Sequence, residues 1–324
     1  MIKAKIIKSS QRDFQCKDID SRKVFTARAK GNLLKGDQNI VVGDNVEIEE
    51  INDDPFFQIT SVEKRKNEIF RVLVREAKKK VIASNCDIIV IITAASTPSY
   101  KRGIVDRFLL RSLQWGIDVI CVFNKMDQYD PHNFDILFEE KRLNFSSSYK
   151  INCFEISARD KNYNPRYLSK GVADLKMYLC GKTALFVGQS GVGKSHTIST
   201  LTEGKVNLKT KEIGKVGKGT HTTTWSEIID CGPFDLIDSP GIRSFSLDDV
   251  CIDELDSFYP DLTIQFGKCK FSNCKHMMDS IGCSLSHWYT SSSELEKLKL
   301  SRLESYLKIK DEITQLPQWQ KKDY

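Results

Sequence analysis

Three short stretches of this chain have the residue types that bind a nucleoside triphosphate. Asn-Lys-Met-Asp occupies residues 124–127, Gly-Gln-Ser-Gly-Val-Gly-Lys-Ser occupies residues 188–195, and Asp-Ser-Pro-Gly occupies residues 238–241. The second fits the phosphate-loop pattern G-x-x-x-x-G-K-[ST], whose backbone N–H groups surround phosphates. In the usual guanine-nucleotide domain the phosphate loop comes first and Asn-Lys-x-Asp comes last. The rotated order predicts a circularly permuted domain.

The phosphate loop follows an apolar run at 184–187 and precedes a predicted helix, which is the context that phosphate binding requires. We expect Lys194 to neutralise the β- and γ-phosphate oxygens and the Ser195 hydroxyl to ligate magnesium. The remaining loop residues are expected to contact the nucleotide: Gly188, Gln189, Ser190, Gly191, Val192 and Gly193.

Asp127 is the predicted base-reading residue. Its carboxylate can accept from both the ring N–H and the exocyclic amine of guanine, whereas adenine lacks that donor pair. We expect Asn124 to brace neighbouring loops and the stem of Lys125 to cover the base. Ser157 and Ala158 follow the next predicted strand and would add backbone donors for the guanine carbonyl. Together these residues predict a guanine nucleotide.

The Asp-Ser-Pro-Gly stretch is expected to sense the γ-phosphate. Asp238 ends an apolar run and would hold magnesium through water. Gly241 can offer its N–H to the γ-phosphate because it has no side chain in the way. A threonine of the segment Gly-Thr-His-Thr-Thr-Thr at 219–224, either Thr222 or Thr223, would complete the magnesium shell.

The residue that orients the attacking water is less obvious. Ile242 stands where many GTPases have a glutamine, and an isoleucine cannot position water. We assign the catalytic role to His221, with the alternative that it is a solvated loop residue. His196, directly after the phosphate loop, is interpreted as a helix-surface residue rather than a catalyst.

A second cluster lies near the carboxyl terminus. Cys269-x4-Cys274-x-His276-x6-Cys283 supplies three thiolates and one imidazole within a short stretch, which predicts a closed tetrahedral zinc site with a structural role. His287 lies close enough in sequence to compete with His276 or Cys283.

The pattern around these motifs predicts three domains, covering residues 1–76, 77–246 and 247–324. In the first, alternating apolar runs separated by turn residues favour a small antiparallel barrel. The predicted barrel strands include Met1–Ile7, Lys23–Ala29, Asn45–Glu50 and Phe56–Val62.

In the second domain, apolar runs alternate with helical patterns such as Val105–Leu113, which predicts a mostly parallel sheet covered on both faces. The predicted sheet strands cover 88–93, 119–123, 151–156, 184–187, 234–238 and an edge strand at Thr222–Ile229. The third domain combines the Cys/His cluster with a terminal helix at Ser293–Gln315.

Composition restricts the class of protein. The 324 residues suffice for two or three domains, and a net charge of +6 permits a polyanionic partner. No apolar run approaches the roughly 18–20 residues of a membrane span, and the start resembles a strand rather than a signal peptide. Most of the ten cysteines are scattered singly, which is typical of reduced thiols. We therefore predict a cytoplasmic protein that does not bind membranes.

The chain resembles the RsgA family of circularly permuted GTPases over nearly its whole length. Besides the nucleotide motifs, the resemblance includes Val-Gly-Asp-Asn-Val-Glu-Ile at 42–48, Arg65-x-Asn67, Ser-Asn-Cys-Asp at 84–87, and Asp106-Arg107. It implies an OB-type barrel, a permuted P-loop GTPase domain and a zinc-binding, helical carboxyl-terminal domain.

By the same resemblance, we expect GTP hydrolysis stimulated by the small ribosomal subunit during its late maturation, with hydrolysis driving release. The implied partners are that subunit and its rRNA, and GTP or GDP, with magnesium and one zinc ion as cofactors, on a monomer. His221 matches the family's proposed catalytic histidine. The family usually has one residue fewer between the zinc histidine and the last cysteine, so we expect a bulge at Asp279–Gly282.

Two other functions are compatible with the same residues. One is an RNA-binding, nucleotide-gated switch with negligible hydrolysis, which the isoleucine at position 242 favours. The other is a P-loop ATPase in which the Asn-Lys-Met-Asp motif is coincidental.

Overall fold

The amino-terminal strands close into a five-stranded barrel. The computed structural model describes residues 1–10, 13–31, 33, 39–51, 54–73, 78–145, 150–160, 162–206, 226–239, 247 and 249–315. The barrel strands are β1 (Ile2–Ser9), β2 (Asp13–Asp18), β3 (Val24–Ala29), β4 (Asn45–Glu50) and β5 (Phe57–Val62). Their order is β1-β2-β3-β5-β4, and pairing of β4 with β1 completes the barrel. β3 and β5 are parallel, which gives the OB-type arrangement that the resemblance implied.

The barrel has alternating inward residues that fill its centre, including Ala4, Ile6, Val46, Ile48 and Ile59, each at most 1% exposed. The predicted strands are confirmed, and β2 is an addition. Its sequence Asp-Phe-Gln-Cys-Lys-Asp has only two apolar residues, so its alternation is weak. A separate hairpin of β6 (Glu68–Leu73) and β7 (Lys78–Ser84) joins the barrel to the next sheet.

The second sheet is mostly parallel, as predicted. Its strands are β8 (Ile88–Ala94), β9 (Asp118–Asn124), β10 (Asn152–Glu155), β11 (Thr183–Val187), β12 (Glu227–Asp230) and β13 (Asp235–Asp238). Their order is β10-β9-β8-β11-β13-β12, with β12 antiparallel. β12 also pairs with β1 of the barrel at Glu227 and Lys8, so the two sheets are continuous.

Helices cover the sheet and form the carboxyl-terminal lobe. They are α1 (Arg102–Trp115), α2 (Ile136–Asn144), α3 (Val172–Leu179), α4 (Lys194–Leu201), α5 (Ile252–Ser257), α6 (Pro260–Phe266) and α7 (Glu294–Gln315). The predicted helix at 105–113 is longer in the structure, and the terminal helix begins one residue later than predicted. None of the described helices combines the length and apolar character that a membrane span requires.

The carboxyl-terminal lobe has its own apolar core, built around Leu255, Trp288, Leu303 and Tyr306. Leu110 of α1 belongs to the same core, and the lobe is therefore packed directly on the second sheet's helices. Contacts cross both predicted domain boundaries, and the division after residues 76 and 246 stays a prediction.

Candidate functional site

The phosphate loop connects the end of β11 to the start of α4. Gly188 and Gly193 adopt positive φ values of 147° and 99°. A Cβ on Gly188 would meet the Ile92 carbonyl oxygen at 2.1 Å, and one on Gly193 would meet Nδ2 of Asn124 at 2.3 Å. Both positions therefore need glycine for close approach as well as for conformation.

Lys194 is the first residue of α4 and folds back over the loop. Its ammonium donates to the carbonyl oxygens of Gly188 and Gln189 at 2.8 and 2.9 Å. The positive charge is thus held at the mouth of a loop whose backbone N–H groups can receive an anion. Ser195 follows it in the first turn of the helix.

Asn124 ties three loops together at the end of β9. Its Nδ2 donates to the Val192 carbonyl at 2.8 Å, and its Oδ1 accepts from the Ala158 N–H at 2.9 Å. The side chain is buried, with 2% of its surface exposed. Asn124 braces its neighbours as expected. The Ala158 N–H, however, is already engaged by Asn124, so its assignment to the guanine carbonyl remains a prediction.

Asp127 lies on a single helical turn, Met126–Gln128, and its side chain is exposed. Its Oδ1 accepts from the Ser157 hydroxyl at 2.6 Å, which fixes the carboxylate against the loop after β10. Lys125 donates from Nζ to the Thr97 carbonyl at 2.6 Å. Asp127 thus bonds to the loop after β10, and Lys125 bonds to the loop after β8, at the same end of the sheet.

One cavity of about 350 Å³ joins the base-reading loops to the phosphate loop. A volume of this size is at the lower end of those that hold small ligands. The lining residues are Asn124, Lys125, Asp127, Gln128, Ser157, Ala158, Arg159, Ser190, Gly191, Gly193, Lys194, Ser195 and His196. Asp127 and Lys194 therefore line a common space, although 66 residues lie between them in sequence.

Three lining residues were not assigned to the site from sequence. Gln128 and Arg159 directly follow motif residues, and that adjacency was the only available signal. His196, interpreted as a surface residue, also lines the cavity.

The Cys/His cluster lies in the carboxyl-terminal lobe. The ligand atoms of Cys269, Cys274, His276 and Cys283 all lie within 4.8 Å of one another. Nδ1 of His276 is 3.5 Å from Sγ of Cys269 and 4.0 Å from Sγ of Cys283. Bond lengths of about 2.0–2.3 Å in a tetrahedron place neighbouring ligand atoms roughly 3.5–3.8 Å apart, so the donor set fits a zinc ion.

The surroundings of the cluster support the same geometry. The His276 ring stacks on Phe266 at 3.9 Å between centroids, which fixes its plane. Burial, together with the Lys310 ammonium, lowers the pKa of His276, so the imidazole is neutral at pH 7 and can donate a lone pair. Backbone N–H groups of His276 and Leu285 donate to Cys274 and Cys283 sulfurs, each at 3.4 Å.

His287 lies outside this cluster. Its Nε2 is 3.2 Å from a carboxylate oxygen of Glu296, and 60% of the His287 side chain is exposed. The longer loop before the last cysteine is accommodated by a turn in which the Ser280 N–H donates to the Met277 carbonyl at 3.1 Å, followed by Gly282 at a φ of 71°.

Comparison with known proteins identifies the family. Residues 62–248 match the family model described as RsgA GTPase. A Flavobacterium johnsoniae protein named small ribosomal subunit biogenesis GTPase RsgA is 33% identical over 309 residues, which cover 94% of this chain and 88% of the relative. The chain belongs to the RsgA GTPase family. It is accordingly a GTP hydrolase, and neither the ATPase nor the switch without hydrolysis is favoured.

Two solved structures share the fold of this RsgA-family chain. YjeQ from Thermotoga maritima superimposes with a TM-score of 0.69 at 23% identity, covering 98% of this chain and 99% of the other. YloQ, described as a circularly permuted GTPase, gives 0.67 at 24% identity, covering 100% and 97%. The strands that carry the permuted motifs therefore have the same arrangement as in these solved structures.

Some predicted site residues of this RsgA-family chain do not line the cavity in the described part of the structure, and others lie outside that part. Asp238 ends β13, next to β11, but is absent from the described residues that line the cavity. His221, Thr222, Thr223 and Gly241 lie outside the described residues. Their assigned roles stay predictions.

Proposed function

We propose that this protein is a GTPase that binds the small ribosomal subunit and acts in its late maturation, with GTP hydrolysis driving release. The observation that carries the proposal is a cavity lined by both Asp127 and Lys194 in an RsgA-family chain. Guanine would lie against Asp127, and the triphosphate would extend to the phosphate loop.

The binding roles follow the sequence assignments. Asn124 and Lys125 would frame the base, and Ser157 and Ala158 would complete its pocket. Ser195, Thr223 and Asp238 would hold magnesium, which neutralises phosphate charge during transfer. Cys269, Cys274, His276 and Cys283 would hold one structural zinc ion, which stabilises the lobe and takes no part in hydrolysis.

The partner is proposed from the names of the relatives and from the fold. A small ribosomal subunit presents rRNA phosphates, and an OB-type barrel is a scaffold that receives single-stranded nucleic acid. The protein would act in the cytoplasm as a monomer, without membrane contact.

Two measurements with separated ribosomal subunits test this function. Co-sedimentation should show binding to small subunits with a non-hydrolysable GTP analogue and weaker binding with GDP. Small subunits should also raise kcat for GTP by about tenfold or more, equal to about 1.4 kcal/mol of barrier, whereas large subunits should not. Binding without any stimulation would instead support the nucleotide-gated switch.

A further inference from the structure

Glu155 is a fully buried carboxylate close to the base-reading loops. It is the last residue of β10, has 0% of its surface exposed, and precedes Ser157 by two positions. Four donors of a single loop converge on it: the Tyr163 hydroxyl at 2.5 Å and the N–H groups of Arg166, Tyr167 and Leu168 at 2.9, 2.8 and 2.6 Å. These bonds satisfy a carboxylate whose burial would otherwise be unfavourable.

The loop that Glu155 holds, residues 163–168, contacts the end of the turn that carries Asp127. The ring of Tyr167 packs edge-on against Tyr129 with 4.8 Å between centroids. Tyr129 closes that turn, because its N–H donates to the Met126 carbonyl at 3.2 Å. The loop therefore contacts the residue that ends this turn.

Ser157 restrains Asp127 itself, because its hydroxyl donates to the Asp127 carboxylate at 2.6 Å. Glu155 ends the strand that leads to Ser157, and it also accepts the hydrogen bonds that hold the loop packed on Tyr129. It therefore links both groups of residues that hold the Asp127 carboxylate in place. A glutamine at position 155 has nearly the same volume, but its amide N–H2 would face backbone donors and could not accept all four bonds.

We propose that Glu155 is a positioning residue for guanine discrimination: it fixes the 163–168 loop and the Ser157 segment so that Asp127 meets the exocyclic amine of the base. This inference rests on the proposed function, because it assigns guanine to the cavity. Glu155 itself is not among the described residues that line the cavity.

The test compares GDP with IDP, which lacks only the exocyclic amine. Wild-type protein should bind GDP about tenfold or more tightly than IDP. Glu155→Gln should weaken GDP binding by about tenfold and IDP binding by less, because IDP offers Asp127 only the ring N–H, so that the preference for GDP falls. A merely structural role would not move this ratio, since lost stability weakens both nucleotides alike.

A second variant tests the role of the 163–168 loop without altering a buried carboxylate. Tyr167 is 38% exposed, so Tyr167→Ala should fold and should reduce the GDP preference by removing the support behind Tyr129. Phe271→Ala is the matched control, an aromatic residue of the carboxyl-terminal lobe that is 47% exposed, and it should keep the wild-type ratio.

The outcomes separate the two proposals. If wild-type protein binds GDP and IDP equally, the guanine site itself is wrong. If the wild type discriminates and both variants keep the full ratio, or lose affinity equally for the two nucleotides, the role of Glu155 is wrong.

Discussion

At the scale of single residues, the site depends on polar side chains that hold loops before any ligand arrives. The Asn124 amide uses its donor and its acceptor on two different loops, and a shorter or apolar side chain would leave the Ala158 N–H and the Val192 carbonyl without this partner. Such preorganisation lowers the conformational cost of binding, because the loops are already in place.

The base preference is expected to depend on Asp127. Asp127→Ala removes the acceptor for the two guanine donors, so the preference for GTP over ATP should fall by about 10- to 100-fold. Competition binding with both nucleotides measures this. Asp130→Ala, an exposed carboxylate of the same loop, is the control and should keep the wild-type preference. An unchanged preference in Asp127→Ala would contradict the base-reading role.

Catalysis is expected to depend on His221. His221→Ala should lower subunit-stimulated hydrolysis by about 10²- to 10⁴-fold, the usual contribution of a general base, and spare GTP affinity. Single-turnover rates and equilibrium binding separate the two effects. His132→Ala replaces an exposed histidine after the base-reading motif and should leave both unchanged. Equal losses of binding and hydrolysis would show that His221 is not the catalyst.

At the scale of elements, the carboxyl-terminal lobe contains two helices that are too short to be stable alone. α5 has 6 residues and α6 has 7, and isolated helices shorter than about 12 residues are marginal in water. They are held by the core around Trp288 and by the chain that folds round the Cys/His cluster. A metal ion held by the cluster would therefore supply stability that a larger apolar core supplies in other domains.

Metal removal is expected to unfold this lobe. A strong chelator should release one zinc ion per chain. The lobe should then unfold, because a bound structural ion contributes folding free energy directly. Trp288 is 4% exposed, so its fluorescence should shift to the red as water reaches it. Cys274→Ser should reproduce the loss of zinc, and Cys180→Ser, at an exposed cysteine outside the cluster, should not. Full zinc content in Cys274→Ser would contradict the ligand set.

The elements differ in how far the sequence predicts them. β8 and β9 are long apolar runs buried on both faces, so their type and position follow from composition alone. β2 and the β6–β7 hairpin were not predicted, because half-polar strands differ little from loops in sequence. The phosphate loop was predicted with its context, whereas the support of Asp127 by the 163–168 loop depends on contacts that no local pattern encodes.

At the scale of the whole molecule, a buried polar junction joins the barrel to the end of β7, the strand that precedes the second sheet. Asp44 is fully buried and accepts from Nε and Nη2 of Arg65 at 2.7 and 2.9 Å and from the Ser84 hydroxyl at 2.6 Å. Gly43 passes so close that a Cβ there would meet the Ser84 carbonyl oxygen at 2.0 Å. Residues 42–48, Arg65-x-Asn67 and residues 84–87, which contribute to the family resemblance, therefore all take part in this junction.

Asp44→Ala should destabilise the protein by about 3 kcal/mol, because the largely buried Arg65 would keep only Glu68 as a carboxylate partner, and the Val41 N–H and Ser84 hydroxyl would lose their acceptor. Urea unfolding followed by circular dichroism measures the change. Asp13→Ala breaks the exposed Asp13–Arg28 pair, whose side chains are 44% and 50% exposed, and should cost less than about 1 kcal/mol. Similar losses in the two variants would contradict the importance of the junction.

The pairing of Lys8 with Glu227 has a consequence for divergence among related chains. It joins the barrel to the strand that follows the histidine–threonine segment through main-chain bonds. Main-chain bonds do not depend on which side chains are present. Substitutions on the outer surface of the barrel can therefore suit it to a different docking partner without breaking its connection to the strand that follows the proposed catalytic histidine in sequence.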